Sequence, residues 1–510
     1  MILPATPDDC AVLIVGAGPS GLALALTLTH HGIRCRVVDE RTGPDEAPRA
    51  MVVQARTLEL YRQLGFAERL VEHGVKVDVL ELSEDGEAPF QVLLGDIASG
   101  TSPYPFLLCI PQRDHERLLA TRLAELGVEV EWNSELSDLY LLDDAVEATL
   151  VGPAEEQRFN VRYLCGCDGA HSRIRTLAGI DGRADDSRSF YVAEVRLADD
   201  SLGHTLRFEL GQQKIDMLLP HPVAGLRQLV GTLDESSESP LEPETLRPRL
   251  ERIAGGSIER IERIDRYRTR SSIADRFSHG HLLLVGDAAH QHSPLAGQGM
   301  NTGIGDAINL GWKLAAVLEG RADESLLESY TEERRGVAKA LEATSDRLFE
   351  GALDHGLKGR LLRSFLVPHL VPFLSGFPKL RRTLFQTLSQ TRIEYRRSPL
   401  SAGLAGEVHG GDRLPWVSID DSDEDNFATL DGLRWQLHVY GTPKMSLVVA
   451  AAALGLELEL FDWNDSARLA GLKRDACYLI RPDGHVALAS PSQDVLALKR
   501  YVDWYGLSFG

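Results

Sequence analysis

Apolar positions along the chain fall into three patterns. The first is short and continuous, as in strands buried on both faces of a parallel sheet. Val12-Leu13-Ile14-Val15 is one such run, and Cys35-Arg36-Val37-Val38, ending at Asp39, is another. Residues 162–167 and 281–285 read the same way. The second pattern alternates. Residues 189–197, 204–212, 214–219 and 226–233 predict short strands of a sheet inserted between parts of the first pattern. The third is helical and fills residues 325–397, punctuated by Pro368, Pro372 and Pro378. A Gly410-Gly411-Asp412-Arg413-Leu414-Pro415 segment and an acidic block over 420–425 then predict a linker or exposed loop. Beyond it, predicted strands at 435–439, 458–461, 476–480 and 486–489 alternate with helices, with Arg481-Pro482-Asp483-Gly484 as a turn between the last two.

The punctuation of the first pattern carries chemistry. Val12–Val15 runs into Gly16-Ala17-Gly18-Pro19-Ser20-Gly21, then a small and apolar helical stretch, then the strand ending in Asp39-Glu40. In such a unit Gly16 permits the tight turn, Gly18 lets backbone approach a pyrophosphate, and Gly21 lets helix and strand pack closely. The helix start offers free N–H groups and positive dipole to phosphates, and Asp39 is placed to accept from ribose hydroxyls. The motif predicts a dinucleotide and does not separate FAD from NAD(P).

Two further segments extend the ligand. Residues 162–167 lead into Asp168-Gly169-Ala170-His171-Ser172-Arg173-Ile174-Arg175, a turn and helix start. Residues 281–285 lead into Gly286-Asp287-Ala288-Ala289-His290, then Pro294-Leu295-Ala296-Gly297-Gln298-Gly299-Met300-Asn301, and a helix follows. Asp287 is suited to a sugar-alcohol chain, and backbone N–H groups of Gly299 to Asn301 are suited to negative charge developing on a ring. His290 and His292 stand two apart with no third ligand nearby, so no metal site is expected.

Composition narrows the class. Of the 510 residues, 43% are hydrophobic and 25% charged, the balance of a soluble globular protein of two or three domains. With 54 basic against 75 acidic residues, the net charge of −21 argues against nucleic acid and against anionic membrane surfaces. The six cysteines form no Cys-x-x-Cys, which favours buried thiols in a reducing compartment. With no basic n-region and no long apolar run at the start, a cytoplasmic location is expected.

Gly16-x-Gly18-x-x-Gly21, Asp168-Gly169-x-x-Ser172-x-x-Arg175 and Gly286-Asp287-x-x-His290-x-x-x-Pro294 resemble, in order and spacing, the three signatures of the single-component FAD aromatic hydroxylases. These are the para-hydroxybenzoate and phenol hydroxylase group, and the likeness spans about the first 345 residues. The helical and C-terminal parts resemble the branch acting on aromatic polyketides. The resemblance implies an α/β architecture. Residues 1–183 and 276–345 would form a Rossmann-like FAD-binding domain, with a β-sheet substrate domain inserted at 184–275. A helical segment at 346–400 and a thioredoxin-like C-terminal domain at 401–510 would follow.

It also implies roles, residue by residue. Gly16, Gly18, Pro19, Ser20, Gly21, Asp39 and Glu40 would hold the adenosine half of FAD. Arg49 and Arg56 would lie along the phosphates and flavin edge, where a planar guanidinium matches phosphate oxygens. For Arg56 the alternative is a helix-surface ion pair with Glu59. Gln112 would reach FAD, Leu136 would meet adenine, and Asp168 would serve FAD and NAD(P)H. Asp287 would hold the ribityl chain. Pro294 and the Gly299-Met300-Asn301 backbone would face the isoalloxazine. Where many relatives have a second glycine in this loop the chain has Ala296, which bears on local turn geometry.

The implied reaction uses NAD(P)H to reduce FAD. A flavin hydroperoxide then passes one oxygen of O₂ to a phenolic or polycyclic aromatic substrate. No residue of the inserted sheet stands out as a catalytic base, and His171 and His290 read as structural. No second nucleotide fold is visible, so NAD(P)H is expected to visit transiently. A Baeyer–Villiger or epoxidising outcome stays open, as does a non-catalytic FAD protein that sequesters a biosynthetic intermediate. The choice between monomer and homodimer stays open too. A halogenase lacks its Trp-x-Trp-x-Ile-Pro segment here, and an NAD(P)-only dehydrogenase would not need the Gly286-Asp287 loop.

Overall fold

The computed structural model describes residues 10–47, 49, 51–84, 89–95, 100–211, 214–233, 241–291, 297–353, 378–419 and 424–509. The aliphatic runs form one sheet, in the order Ser278–His279, Leu282–Leu284, Tyr163–Gly166, Val12–Val15, Cys35–Asp39 and Val130–Trp132. Val12–Val15 pairs in parallel, residue for residue, with Tyr163–Gly166 on one side and residues 35–38 on the other. Leu282–Leu284 joins in parallel beyond Tyr163–Gly166. Segments distant in sequence thus close one sheet, because its inner strands Val12–Val15, Tyr163–Gly166 and Leu282–Leu284 are buried on both faces and need cover on both. The helices Pro19–His30 and Gly299–Leu318 supply cover, packed so closely that a Cβ on Gly311 would lie 2.5 Å from the Thr27 side chain.

The alternating segments form a larger, mostly antiparallel sheet. Gly182–Leu197, Leu226–Thr232, Lys214–Pro220 and Thr205–Gly211 lie side by side at its centre. Its alternation has two customers. Phe190, Val192, Leu206, Met217, Leu219 and Val230 face the core shared with the first sheet. Tyr191, Ala193, Val195, Leu218 and Leu229 face outward, under Leu250 and Ile253 of the helix Pro243–Ala254.

The sheet is wider than the pattern predicted. Val79–Glu84 and Phe90–Leu93 extend one edge, and the long strand Ile258–Ala274 with His290–Gln291 extends the other. Ile258–Ala274 escapes a period-2 reading because its isoleucines recur every third residue, at Ile258, Ile261 and Ile264, and a register shift interrupts its pairing there.

The described helices of the third pattern are Glu328–Leu353 and Pro378–Leu388. Pro368 and Pro372 lie outside the described residues. The C-terminal unit is a second layered sheet with its own cores. Gln436–Tyr440 and Glu457–Phe461 run parallel across the helix Met445–Leu454, and Cys477–Ile480 and Val486–Ser490 add antiparallel. The helix Val495–Trp504 closes the unit.

Candidate active site

The glycine turn is built as the motif predicts, with each glycine answering a different constraint. Gly16 has φ +106°, and a Cβ there would lie 2.3 Å from the Cys167 carbonyl oxygen. A Cβ on Gly21 would lie 1.9 Å from the Gly16 carbonyl oxygen. Gly18 has no neighbour within 4 Å of its would-be Cβ, so it faces open space. The helix Pro19–His30 begins there with Pro in its first turn and no acidic residue to oppose the dipole, which leaves a ready anion site. Ser20 turns inward and fits against the bare backbone of Gly286 and Gly303.

That open space belongs to a cavity of about 990 Å³. Around its cofactor end stand Gly16, Gly18, Pro19, Ser20, Asp39 and Glu40, followed by Arg49, Gln112, Leu136 and Asp168. Asp287, Gly299 and Met300 line it as well. The structure therefore brings together most of the residues expected from sequence.

Asp287 sits at the turn Gly286–Ala288, enclosed by protein yet accessible, because what it faces is the cavity. Burial raises its pKa, with His290 and Arg49 opposing. Asp168 accepts from the Ile174 N–H (3.1 Å), while its Oδ1 is buried without a hydrogen-bond partner among the described residues. The Thr302 N–H closes the first turn of the helix Gly299–Leu318 onto the Gln298 carbonyl at 2.8 Å. The amides of Gly299, Met300 and Asn301 precede that bond, as at any helix start.

Asp39 shows a division of labour. Its carboxylate accepts from the Ala17 N–H (2.7 Å) and from the Arg41 N–H (2.8 Å) and guanidinium, so it braces the glycine turn while lining the cavity. Glu40 beside it is exposed. Gln112 donates to Glu116 (2.8 Å), whose other oxygen accepts from the Asp45 N–H (3.0 Å). Glu116 is fully buried, and burial raises its pKa. Neither Arg41 nor Glu116 was singled out from sequence. The four-residue spacing of Gln112 and Glu116 on one helix was the available signal.

Arg56, Gly21 and Asn301 are not among the residues that line the cavity. Arg56 is buried against the C-terminal unit, 3.2 Å from Glu59, and donates to the Asp483 carbonyl at 2.6 Å. The ion pair with Glu59 exists, but in the interior rather than on a helix surface. Gly21 lies beneath the turn, not on the cavity wall. The Asn301 side chain turns away to clip the preceding segment. It accepts from the Gln54 N–H and the Thr57 hydroxyl and donates to the Val52 and Gly297 carbonyls, so only its backbone remains for a ligand. Pro294 and Ala296 lie outside the described residues. His290 is buried, its Nε2 2.6 Å from Asp306.

The opposite wall is apolar. Leu80, Leu107, Leu206, Phe208, Met217, Leu219 and Val230 line it, from the inner face of the large sheet and its neighbours. Polar residues of the large sheet line the cavity too, Asp265, Arg266, Tyr267, Arg268 and Thr269 from Ile258–Ala274 and Gln228 from Leu226–Thr232. Gln228 is held by donating to the Arg49 carbonyl (2.7 Å), and Tyr267 stacks on Phe190 with centroids 5.6 Å apart. One cavity thus joins an end suited to anions and hydroxyls to a wall rich in apolar side chains. A long dinucleotide carrying a ring would fit this set: Gly18 leaves room for phosphates, the Asp287 carboxylate could accept from hydroxyls, and the amides of the helix start could meet a ring.

Comparison with known proteins agrees. Residues 9–345 match the family described as FAD binding domain. The chain is 32% identical to 6-methylpretetramide 4-monooxygenase of Streptomyces rimosus, over 95% of this chain and 91% of that one. It is also 32% identical to 12-dehydrotetracycline 5-monooxygenase/anhydrotetracycline 6-monooxygenase of Streptomyces rimosus subsp. rimosus, over 93% and 94% of the two chains. Among solved structures, the OxyS anhydrotetracycline hydroxylase from Streptomyces rimosus superposes with TM-score 0.76 at 28% identity. That match covers 98% of this chain and 99% of that one.

Proposed function

The chain belongs to the FAD binding domain family and is an FAD-dependent aromatic monooxygenase. From that premise we propose that it hydroxylates a polycyclic phenolic substrate held against the sheet face lined by Leu206, Phe208, Met217, Leu219 and Val230. The observation that carries this reading is the continuity of the cavity from Gly18 and Asp287 to that apolar wall. When bound, FAD supplies the redox chemistry, taking electrons from NAD(P)H and activating O₂.

The chain's own residues do the rest. The first turn of Pro19–His30 receives the phosphates, and Glu40 and Asp39 receive the adenosine hydroxyls. Gln112 and Asp168 meet the middle of the cofactor, and Asp287 takes the ribityl hydroxyls. The amides of Gly299, Met300 and Asn301 stabilise negative charge at the ring. Arg49, pinned by Asp45 at 2.6 Å, stands at the flavin edge. The apolar wall excludes water and holds a flat ring system, and Gln228 and Tyr267 are placed to orient its oxygen substituents. An ionised phenol activates its own ring, so no side-chain base is assigned.

All six cysteines are free, buried thiols, which suits a cytoplasmic enzyme drawing on the reduced nicotinamide pool. No helix among the described residues is long and apolar enough to cross a membrane. The test is a panel of polycyclic phenols, measuring NAD(P)H and O₂ consumption with mass spectrometry of the product. A gain of one oxygen on an intact ring system supports the reading. A ring-expanded ester overturns hydroxylation, and no turnover with any phenol overturns the substrate class.

A further inference from the structure

The two elements proposed to hold the flavin meet with only the small Ser20 side chain packed against both. A Cβ on Gly303 would lie 3.1 Å from the Gly286 Cα, so the turn Gly286–Ala288 and the helix Gly299–Leu318 meet backbone to backbone. Beyond that contact, polar groups clamp the two elements directionally. Asp306 is one clamp: its Oδ2 accepts from the Gly286 N–H (3.1 Å) and pairs with His290 (2.6 Å). Its Oδ1 accepts from Arg334 Nε at 2.5 Å. Arg334 donates also to the Thr302 carbonyl (2.9 Å), in the first turns of the helix, and to the Tyr395 hydroxyl (2.7 Å).

The same helix turn that carries Arg334 carries Glu333, which points into the C-terminal unit. Glu333 accepts from both terminal nitrogens of Arg481 (2.7 and 2.9 Å), and from Lys313, Asn309 and Ser398. The Arg481 guanidinium lies 5.2 Å over the Tyr395 ring and pairs with Asp483 at 2.6 Å. Asp306, Lys313, Glu333, Arg334 and Arg481 are all buried. A seam of ions removed from water is a costly way to gain stability when apolar packing would serve. What it offers instead is directional placement, and here its bonds end on the two backbone sites that meet the flavin.

We propose that Arg334 and Tyr395 are positioning residues for the flavin. Through Asp306 and Thr302 they set the Gly286–Ala288 turn against the first turn of the helix Gly299–Leu318, and Glu333 ties that setting to Arg481 of the C-terminal unit. This rests on the reading of Asp287 and the helix amides as flavin contacts. It gives the C-terminal unit, which lacks a Cys-x-x-Cys, a part in the flavin site without its touching the cofactor.

The experiment uses full-length Tyr395→Phe and Arg334→Lys proteins, with Asp287→Ala alongside. Three quantities are read: the FAD dissociation constant of the apoprotein, the visible spectrum of the bound flavin, and the hydrogen peroxide released per NAD(P)H. Tyr395→Phe removes one hydroxyl and no charge, so it is expected to fold. It should raise the FAD dissociation constant by about 3- to 10-fold, the scale of one hydrogen bond. It should also move the flavin bands and increase peroxide release, with KM for the aromatic substrate unchanged. Arg334→Lys, which keeps the charge but loses the fork, should do the same more strongly. If the variants keep wild-type FAD affinity, spectrum and peroxide release, and only melt earlier, the positioning role is overturned. If Arg334→Lys does not fold, Tyr395→Phe alone decides. If Asp287→Ala leaves FAD binding intact, the flavin reading itself fails. If it weakens FAD while Tyr395→Phe does not, only the positioning role fails.

Discussion

In the cavity, Asp287 and Asp168 carry carboxylates that open onto it, yet protein surrounds them closely enough that burial pushes their pKa values up. At the seam with the C-terminal unit, Glu333 and Asp483 are closed off from solvent, and burial alone would raise them too. There Arg481 more than reverses the effect, with Lys313 assisting at Glu333 and His485 at Asp483, and both acids are held well below the carboxylate range. The seam saturates its charges, while the cavity leaves Asp168 Oδ1 without a hydrogen-bond partner among the described residues. A region completed by the chain itself is structural. A region left incomplete is waiting for a ligand.

The sharpest way to break this comparison lies within the glycine turn. Gly21→Ala is expected to cost at least about 4 kcal/mol in denaturant unfolding, because its Cβ would meet backbone. Gly18→Ala should stay within about 0.5 kcal/mol of wild type while losing FAD affinity, since only the cofactor occupies that space. Equal destabilisation of the two would contradict the division of roles.

Next in size is the seam. Lys313→Met leaves Glu333 with fewer counter-charges and is expected to cost about 3 kcal/mol by the same measurement, with FAD chemistry as a secondary effect. The pH dependence follows from the acids. Glu333 and Asp483 have folded pKa values below their unfolded ones, so the stability they contribute is present above about pH 4.5 and is lost as pH falls toward the folded values. Unfolding midpoints against pH should show that acid loss, and Glu333→Gln should flatten it.

Asp287 has the opposite sign. Its folded pKa is raised, so the ionised form burdens the apoprotein as pH rises above its ordinary value of 3.8. Water in the open cavity screens that burden. Asp287→Asn apoprotein should therefore be equal to or more stable than wild type by a few tenths of a kcal/mol, yet bind FAD more weakly. A destabilised apoprotein with unchanged FAD affinity would place Asp287 among the structural residues. The smallest effect is expected at the substrate wall, where Tyr267→Phe and Gln228→Ala should change KM for the aromatic substrate by about 3- to 10-fold and leave FAD affinity alone.

How much of this could be read from the sequence follows the same divide. The glycine turn, the Asp168 and Asp287 segments and the aliphatic strands are local: strand, turn and helix start lie within a few residues, and their spacing carries the physics. The inserted sheet was legible where residues alternate. It was not legible at Ile258–Ala274, whose apolar residues come every third position. The seam was invisible because its members come from Arg56, Asp306, Lys313, Glu333, Arg334, Tyr395 and Arg481, brought together only by folding. Arg56 shows the cost: its surroundings in sequence resemble a phosphate-binding segment, but the C-terminal unit claims its guanidinium. Arg481 and Asp483 read as a simple turn, and nothing local announces that both are buried.

The central claim is that the cavity joins a flavin end to an aromatic end, so that one oxygen of O₂ crosses between them. The most direct measurement is turnover of a polycyclic phenol under isotope-labelled O₂, with NAD(P)H consumption followed in parallel. The account predicts one labelled oxygen on an intact aromatic product for each NAD(P)H consumed in the coupled reaction. A product whose new oxygen comes from water, or peroxide as the sole fate of O₂ with every phenol that binds, would contradict it.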